Sequence, residues 1–119
     1  MINRALIVRQ PWIDMILAGY KPWEMRSAPT KVRGRTGLIE QGSGLIVGEV
    51  NLTDSLPALT IEQAQHHREK HCLCLLGEKH ETELLEKWRY PWILKNPLRY
   101  EKPVPYKHPR GAVVWVKLN

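Results

Sequence analysis

The chain reads as an α+β protein, mostly β, built as a small β-barrel with helices packed on its outside. Three observations predict this. Short apolar stretches of period two recur between Gly and Pro turns. Helical periodicity is confined to residues 10–19 and about 60–88, and the last third is rich in proline, which suits sheet edges and barrel seams. A length of 119 residues fits a single domain, 1–119, with a helical insertion at about 60–88.

Taken in order, Arg4 to Val8 is a strand in which Leu6 and Val8 face opposite to Ala5 and Ile7, so both its faces should be buried. Gln10 to Gly19 is a short helix. Pro11 suits its first turn, Ile13, Ile16 and Leu17 form its apolar face, and Gly19 ends it. Pro22 to Arg26 then alternates, sending Trp23 and Met25 one way and Glu24 and Arg26 the other. Ser27 to Thr36 has no apolar period and reads as a cationic loop carrying Lys31, Arg33 and Arg35. Gly37 to Gln41 and Leu45 to Leu52 form a hairpin about Gly42-Ser43-Gly44, and Gly48 allows a bulge or a close backbone approach. Thr60-Ile61-Glu62-Gln63 matches a capping box for a helix running to about His71, and a second helix spans about Glu78 to Trp88. Tyr90 to Asn119 should alternate short strands with prolines, and Ala112 to Leu118, the strongest strand of the chain, should close the barrel.

Composition excludes several classes. A hydrophobic content of 43% with 25% charged residues belongs to a soluble globular protein, and there is no signal peptide or apolar run long enough for a bilayer, so a cytoplasmic location with no membrane association is expected. His66, His67, His71, Cys72, Cys74 and His80 cluster, but Cys-x-Cys lacks zinc-knuckle spacing, so we expect exposed histidines, free thiols, no metal and no cofactor. The net charge of +6 is concentrated after residue 87, where seven basic residues face one acid. Phe is absent while five Trp and four Tyr are present, so aromatic rings with polar handles accompany the basic surface. That combination is the footprint of a polyanion binder, here RNA or single-stranded nucleic acid.

The charged trio Lys21, Glu24 and Arg26 is the best candidate site. Spacing alone favours a structural ion pair on a strand. If the trio lines an open cleft, Lys21→Ala or Glu24→Gln should cost little stability.

Gln10-Pro11-Trp12, followed by Ile16-Leu17-Ala18-Gly19, Lys21, Glu24 and Arg26, resembles the signature of the ASCH domain family. Arg33-Gly34, Val47-Gly48-Glu49-Val50, Gly111 and Val113 to Val116 fit its later blocks. The resemblance implies a PUA-like barrel, a role in RNA metabolism and a cleft lined by the Lys, Glu and Arg positions. A nucleobase or RNA segment would then meet Gln10, with Lys21, Arg26, Lys31, Arg33 and Arg35 holding phosphate. Trp12, Trp23 or Tyr20 would stack on bases at ~1–3 kcal/mol each.

Some relatives hydrolyse N4-acetylcytidine and others cleave RNA, so the resemblance also implies a hydrolase as the alternative. The Lys of the amidohydrolase members falls on Lys21 and their Thr on Glu24, while Glu69 is the nearest candidate for their Glu. A carboxylate only accepts where a hydroxyl also donates, so Glu24 would act as a general base with Lys21 or Arg26 stabilising an oxyanion.

Overall fold

The computed structural model describes residues 2–118 and contains one six-stranded sheet with a run of short helices between its fourth and fifth strands. The elements are β1 (Arg4–Val8), α1 (Trp12–Leu17), β2 (Trp23–Arg26), β3 (Gly34–Glu40), β4 (Leu45–Ser55), α2 (Ile61–Gln65), α3 (Arg68–His71), a 3-10 turn (Leu73–Leu76), α4 (Glu78–Lys87), β5 (Tyr90–Pro105) and β6 (Trp115–Lys117). The strand order is β2-β5-β4-β3-β1-β6, antiparallel except for the parallel β1–β3 pair. No helix among the described residues is long and apolar enough to cross a membrane.

The sheet curls until its two ends meet. Trp92, one strand in from the β2 edge, stacks on Trp115 of the β6 edge with ring centroids 5.8 Å apart. Arg26 of β2 donates from Nη2 to the carbonyl of Ile7 in β1 at 2.8 Å. No backbone ladder joins β2 to β1 or β6, so side chains alone close this seam among the described residues. The expected closing strand 112–118 therefore shrinks to Trp115–Lys117, paired with β1 only.

Two cores result from the period-two pattern. Leu6 and Val8 of β1 enter the main core with Ile13 and Ile16 of α1, Leu38 of β3 and Val50 and Leu52 of β4. Ala5 and Ile7 point the other way, into a smaller core with Ile39, Ile46 and Val116. β1 is thus buried on both faces, as its sequence predicts.

Residues 90–105 form one strand rather than several, and two of its four prolines sit where pairing is interrupted. The register jumps from Glu49↔Leu98 to Asn51↔Lys95 and from Ile46↔Val104 to Gly48↔Arg99, which places Pro97 and Pro103 in bulges that need no ladder donor. Gly48 faces the crossing strand: a Cβ there would lie 2.5 Å from the Leu98 carbonyl oxygen and 2.6 Å from a Leu17 methyl. Backbone cannot yield as a side chain can. Gly48→Ala should therefore cost about 1–3 kcal/mol, read as a lower urea midpoint at unchanged slope.

The capping box forms as predicted, with Gln63 N–H donating to Thr60 Oγ1 at 3.0 Å and Thr60 N–H donating to Gln63 Oε1 at 2.9 Å. The helix then breaks at His67 instead of running through to His71. The break turns the His71 ring inward, where Nε2 donates to the Ala64 carbonyl at 2.7 Å and Nδ1 accepts from Leu73 N–H at 3.1 Å. His71 is 0% exposed, which corrects the expectation of an exposed histidine at this position, while His66 and His80 are exposed. Burial holds its proton affinity below the ordinary 6.5. The unfolded chain therefore binds a proton before the folded one does, and stability present above pH 6.5 should fall as pH drops through the folded value. Acid titrations of wild type and His71→Gln by circular dichroism should differ by this slope.

Candidate functional site

Gly19, at φ +87°, ends α1 and reverses the chain, with Tyr20 and Lys21 N–H both donating to the Met15 carbonyl. The reversal sends Lys21 inward. Its side chain is fully buried, its Nζ donates to the Trp23 carbonyl, and it lies 3.5 Å from Glu24 Oε1 and 5.5 Å from the centre of the Trp12 ring. Burial lowers its proton affinity, and the Glu24 carboxylate partly opposes that shift. The expected solvent-accessible Lys21 is thus corrected, because its apolar stem finds core on all sides.

β2 places Glu24 and Arg26 on one face, as its alternation predicts. Glu24 Oε2 accepts from Arg26 Nε at 3.0 Å and Nη2 at 2.7 Å, while Oε1 looks toward Lys21. The carboxylate therefore bridges a sealed ammonium and a half-buried guanidinium. With Glu24 only 6% exposed, removing it cannot be the nearly free change expected of an exposed pair.

Glu24 and Arg26 line a cavity of about 160 Å³ in the seam, together with Ile7, Arg9, Trp12, Met25, Gln41, Leu73, Trp88 and Val113. Arg9 donates from Nε to Gln41 Oε1 at 3.0 Å, and the Arg26 guanidinium sits 5.6 Å from the centre of the Trp92 ring. Arg26 Nε and Nη2 are occupied by Glu24 and Ile7, but Nη1 donates to no group among the described residues. The site offers a cation with free donors, a carboxylate acceptor, an amide and two indole walls.

Of the residues singled out in the sequence, Trp12, Glu24 and Arg26 come together at this cavity. Lys21 lies behind Glu24. Gln10 is exposed and donates to Glu40 Oε1 at 2.7 Å, and Tyr20 stands 71% exposed beyond α1. Glu69 is exposed on α3 and is not part of the cavity wall. The buried carboxylate of that region is Glu81, clamped by Arg68 at 2.7–3.1 Å. Trp23 is buried under His67 and Lys70 and offers no free face.

Lys31, Arg33 and Arg35 are not among the residues that line the cavity. Gly34, Arg35 and Thr36 belong to β3, which ends at Glu40, so about 20 Å of chain at strand rise separates Arg35 from Gln41 in the cavity wall. Arg35 is consumed by Glu49 at 3.3 Å, Asn51 Oδ1 at 3.1 Å and the Asn96 carbonyl at 2.7 Å. Arg33 donates to the Thr30 and Val32 carbonyls and pairs loosely with Asp54, while Lys31 is exposed. Arg33 and Arg35 are thus engaged by carbonyls of the loop and of β5 and by carboxylate and amide partners on β4.

Sequence reasoning missed Arg9, Gln41, Leu73, Trp88 and Val113. Arg9 was findable, since continuing the β1 alternation puts it on the Ile7 face. The others reach the seam only through tertiary folding. Cys72 and Cys74 are free thiols, and among the described residues no group of His, Cys, Asp and Glu side chains is arranged to hold a metal ion.

The sequence profile of the ASCH domain matches residues 6–104. Two solved structures of ZmASCH from Zymomonas mobilis share the fold. A tyrosine-to-phenylalanine variant superposes with a TM-score of 0.70 at 13% identity, covering 100% of this chain and 91% of that one. A serine-to-alanine variant gives 0.69 at 14% identity, covering 98% and 87%. No curated protein sequence matches. The profile spans most of the chain and the curled sheet with its outer helices is that of the solved relatives, so the chain belongs to the ASCH domain family and has its PUA-like fold.

Proposed function

We propose that the seam cavity receives one base of single-stranded RNA or a modified nucleoside, and that the protein acts as a binding module in RNA metabolism. The carrying observation is the Arg26 guanidinium, fixed by Glu24 and the Ile7 carbonyl, with Nη1 left without a partner among the described residues. Trp12 and Trp88 supply apolar walls, while the Gln41 amide, the Glu24 carboxylate and the Arg9 cation supply polar edges. At about 160 Å³ the cavity is smaller than the ~300–1,000 Å³ of drug-sized sites, which favours a single planar ring over a duplex.

Intrinsic tryptophan fluorescence tests this reading, because two indoles line the cavity. Titration with nucleosides and single-stranded RNA should quench or shift the emission, and RNA affinity should fall steeply between about 50 and 200 mM salt. No change with any nucleoside or RNA at the lower salt would end the proposal.

Hydrolysis is the second reading, favoured by one observation: the Glu24 carboxylate and the free Arg26 donors face the same small space. Glu24 would take a proton from water and Arg26 would hold the oxyanion. Lys21, turned to the Trp23 carbonyl, would only position Glu24. Incubation with N4-acetylcytidine and with RNA, followed by chromatography of the products, separates turnover from binding.

A further inference from the structure

The seam cavity does not end at its own walls. Ile7, Gln41 and Val113 also line a second cavity of about 290 Å³, which adds Tyr106 and His108. Tyr106 in turn lines a third, of about 660 Å³, with Tyr100, Val104, Lys107 and Lys117. Shared lining residues make the three cavities neighbours in a row, from the seam onto the outer face over the smaller core. Val113, 76% exposed, forms an apolar step between the first two.

The groove is built for a polyanion carrying flat rings. Arg9 and Arg26 stand at one end and Lys107 and Lys117 at the other, and the single carboxylate among the described residues of its walls, Glu24, is already held by Arg26. Its two tyrosines are fixed by their hydroxyls. Tyr106 O–H lies 2.7 Å from His108 Nδ1, whose Nε2 lies 2.9 Å from the Ala112 carbonyl, and Tyr100 O–H donates to Glu49 at 3.0 Å. Fixed rings lose little freedom when a base stacks on them, and stacking tolerates any sequence.

We infer that the ligand of the seam cavity is a segment of single-stranded nucleic acid rather than a free nucleoside: one base enters the seam and neighbouring nucleotides cross Val113 to the Tyr106–Tyr100 platform, their phosphates met by Lys107 and Lys117. This rests on the base-binding reading of the seam. A free nucleoside would fill the first cavity and leave the other two without a role.

The test compares a nucleoside monophosphate with a single-stranded RNA of about five nucleotides, a length within the known range of strand-binding sites. Wild type should bind the oligonucleotide far more tightly. Tyr106→Ala should weaken it about fivefold or more, the loss of one stacked base, and Lys107→Glu with Lys117→Glu should weaken it further and flatten its salt dependence. Both variants should bind the monophosphate as wild type does. Lys79→Glu, on the exposed surface of α4, controls for net charge and should change neither ligand.

Equal affinity for monophosphate and oligonucleotide would overturn the groove while leaving the seam reading intact, as would wild-type oligonucleotide binding by the lysine variant. Equal binding of duplex RNA or of an acidic peptide of the same charge would also overturn it. Failure of both nucleotide ligands to bind would remove the seam reading itself.

Discussion

Glu24→Ala should lower folding stability by about 3–5 kcal/mol, because it leaves one buried cation without its carboxylate and a second half-stranded. Lys21 is the severe case: its side chain is fully buried, and its remaining polar partner is the Trp23 carbonyl. The variant can escape by releasing the Lys21 proton. Burial already lowers that proton affinity from 10.5, and removing the opposing carboxylate lowers it further. A folded value below the unfolded one makes stability rise with pH, up to the unfolded value. The penalty should therefore be greatest at pH below both folded values, shrink by up to about 1.4 kcal/mol per unit as pH rises from the variant's folded value to wild type's, and stay constant above that. Urea unfolding across that range measures it. A small, pH-independent loss would mean that Glu24 contributes no more than an exposed pair.

Arg26→Lys should weaken nucleic-acid binding about 10- to 100-fold, the loss expected when charge-assisted hydrogen bonds to a ligand disappear. Lysine keeps the charge but not the planar fork. One ammonium cannot reach Glu24 and the Ile7 carbonyl as Nε and Nη2 do while also offering a free donor in the position of Nη1. Affinity should be measured where circular dichroism shows the variant folded. Wild-type affinity in a folded Arg26→Lys would place the ligand elsewhere on the protein.

Local rules were legible wherever neighbours in sequence are also neighbours in space. The helix stop at Gly19, the two-faced β1, the β2 alternation that joins Glu24 to Arg26, the capping box at Thr60 and the close approach at Gly48 all follow from periods of 2 or 3.6 and from backbone sterics. Lys21 was not legible, since a four-carbon stem can reach solvent or core and only the packed surroundings decide. The partners of Arg33 and Arg35 were not legible either, because charge in a loop says nothing of what a facing strand will offer it. Arg35 meets Glu49 and Asn51, a pairing set by β3–β4 register. Trp88 and Val113 flank the seam from the end of the helical insertion and from the segment before β6, far apart in the chain. No periodicity links them.

The seam has a mechanical meaning. Every other strand boundary around the sheet is stitched by main-chain bonds, but here the last link between β2 and β1 is a guanidinium lying on the Ile7 carbonyl. A guest that engages Arg26 therefore pulls on the fastener of the barrel wall. If the guest leaves the Arg26–Ile7 link in place and spans the gap, it acts as a rivet: amides flanking the gap exchange hydrogen more slowly, and the whole domain melts later. If it draws Arg26 away, the wall springs open and those amides exchange faster. Under the proposed function, occupancy of the cavity and tightness of the wall are coupled through Arg26, so hydrogen exchange along β1 and β2 would report the guest without a label.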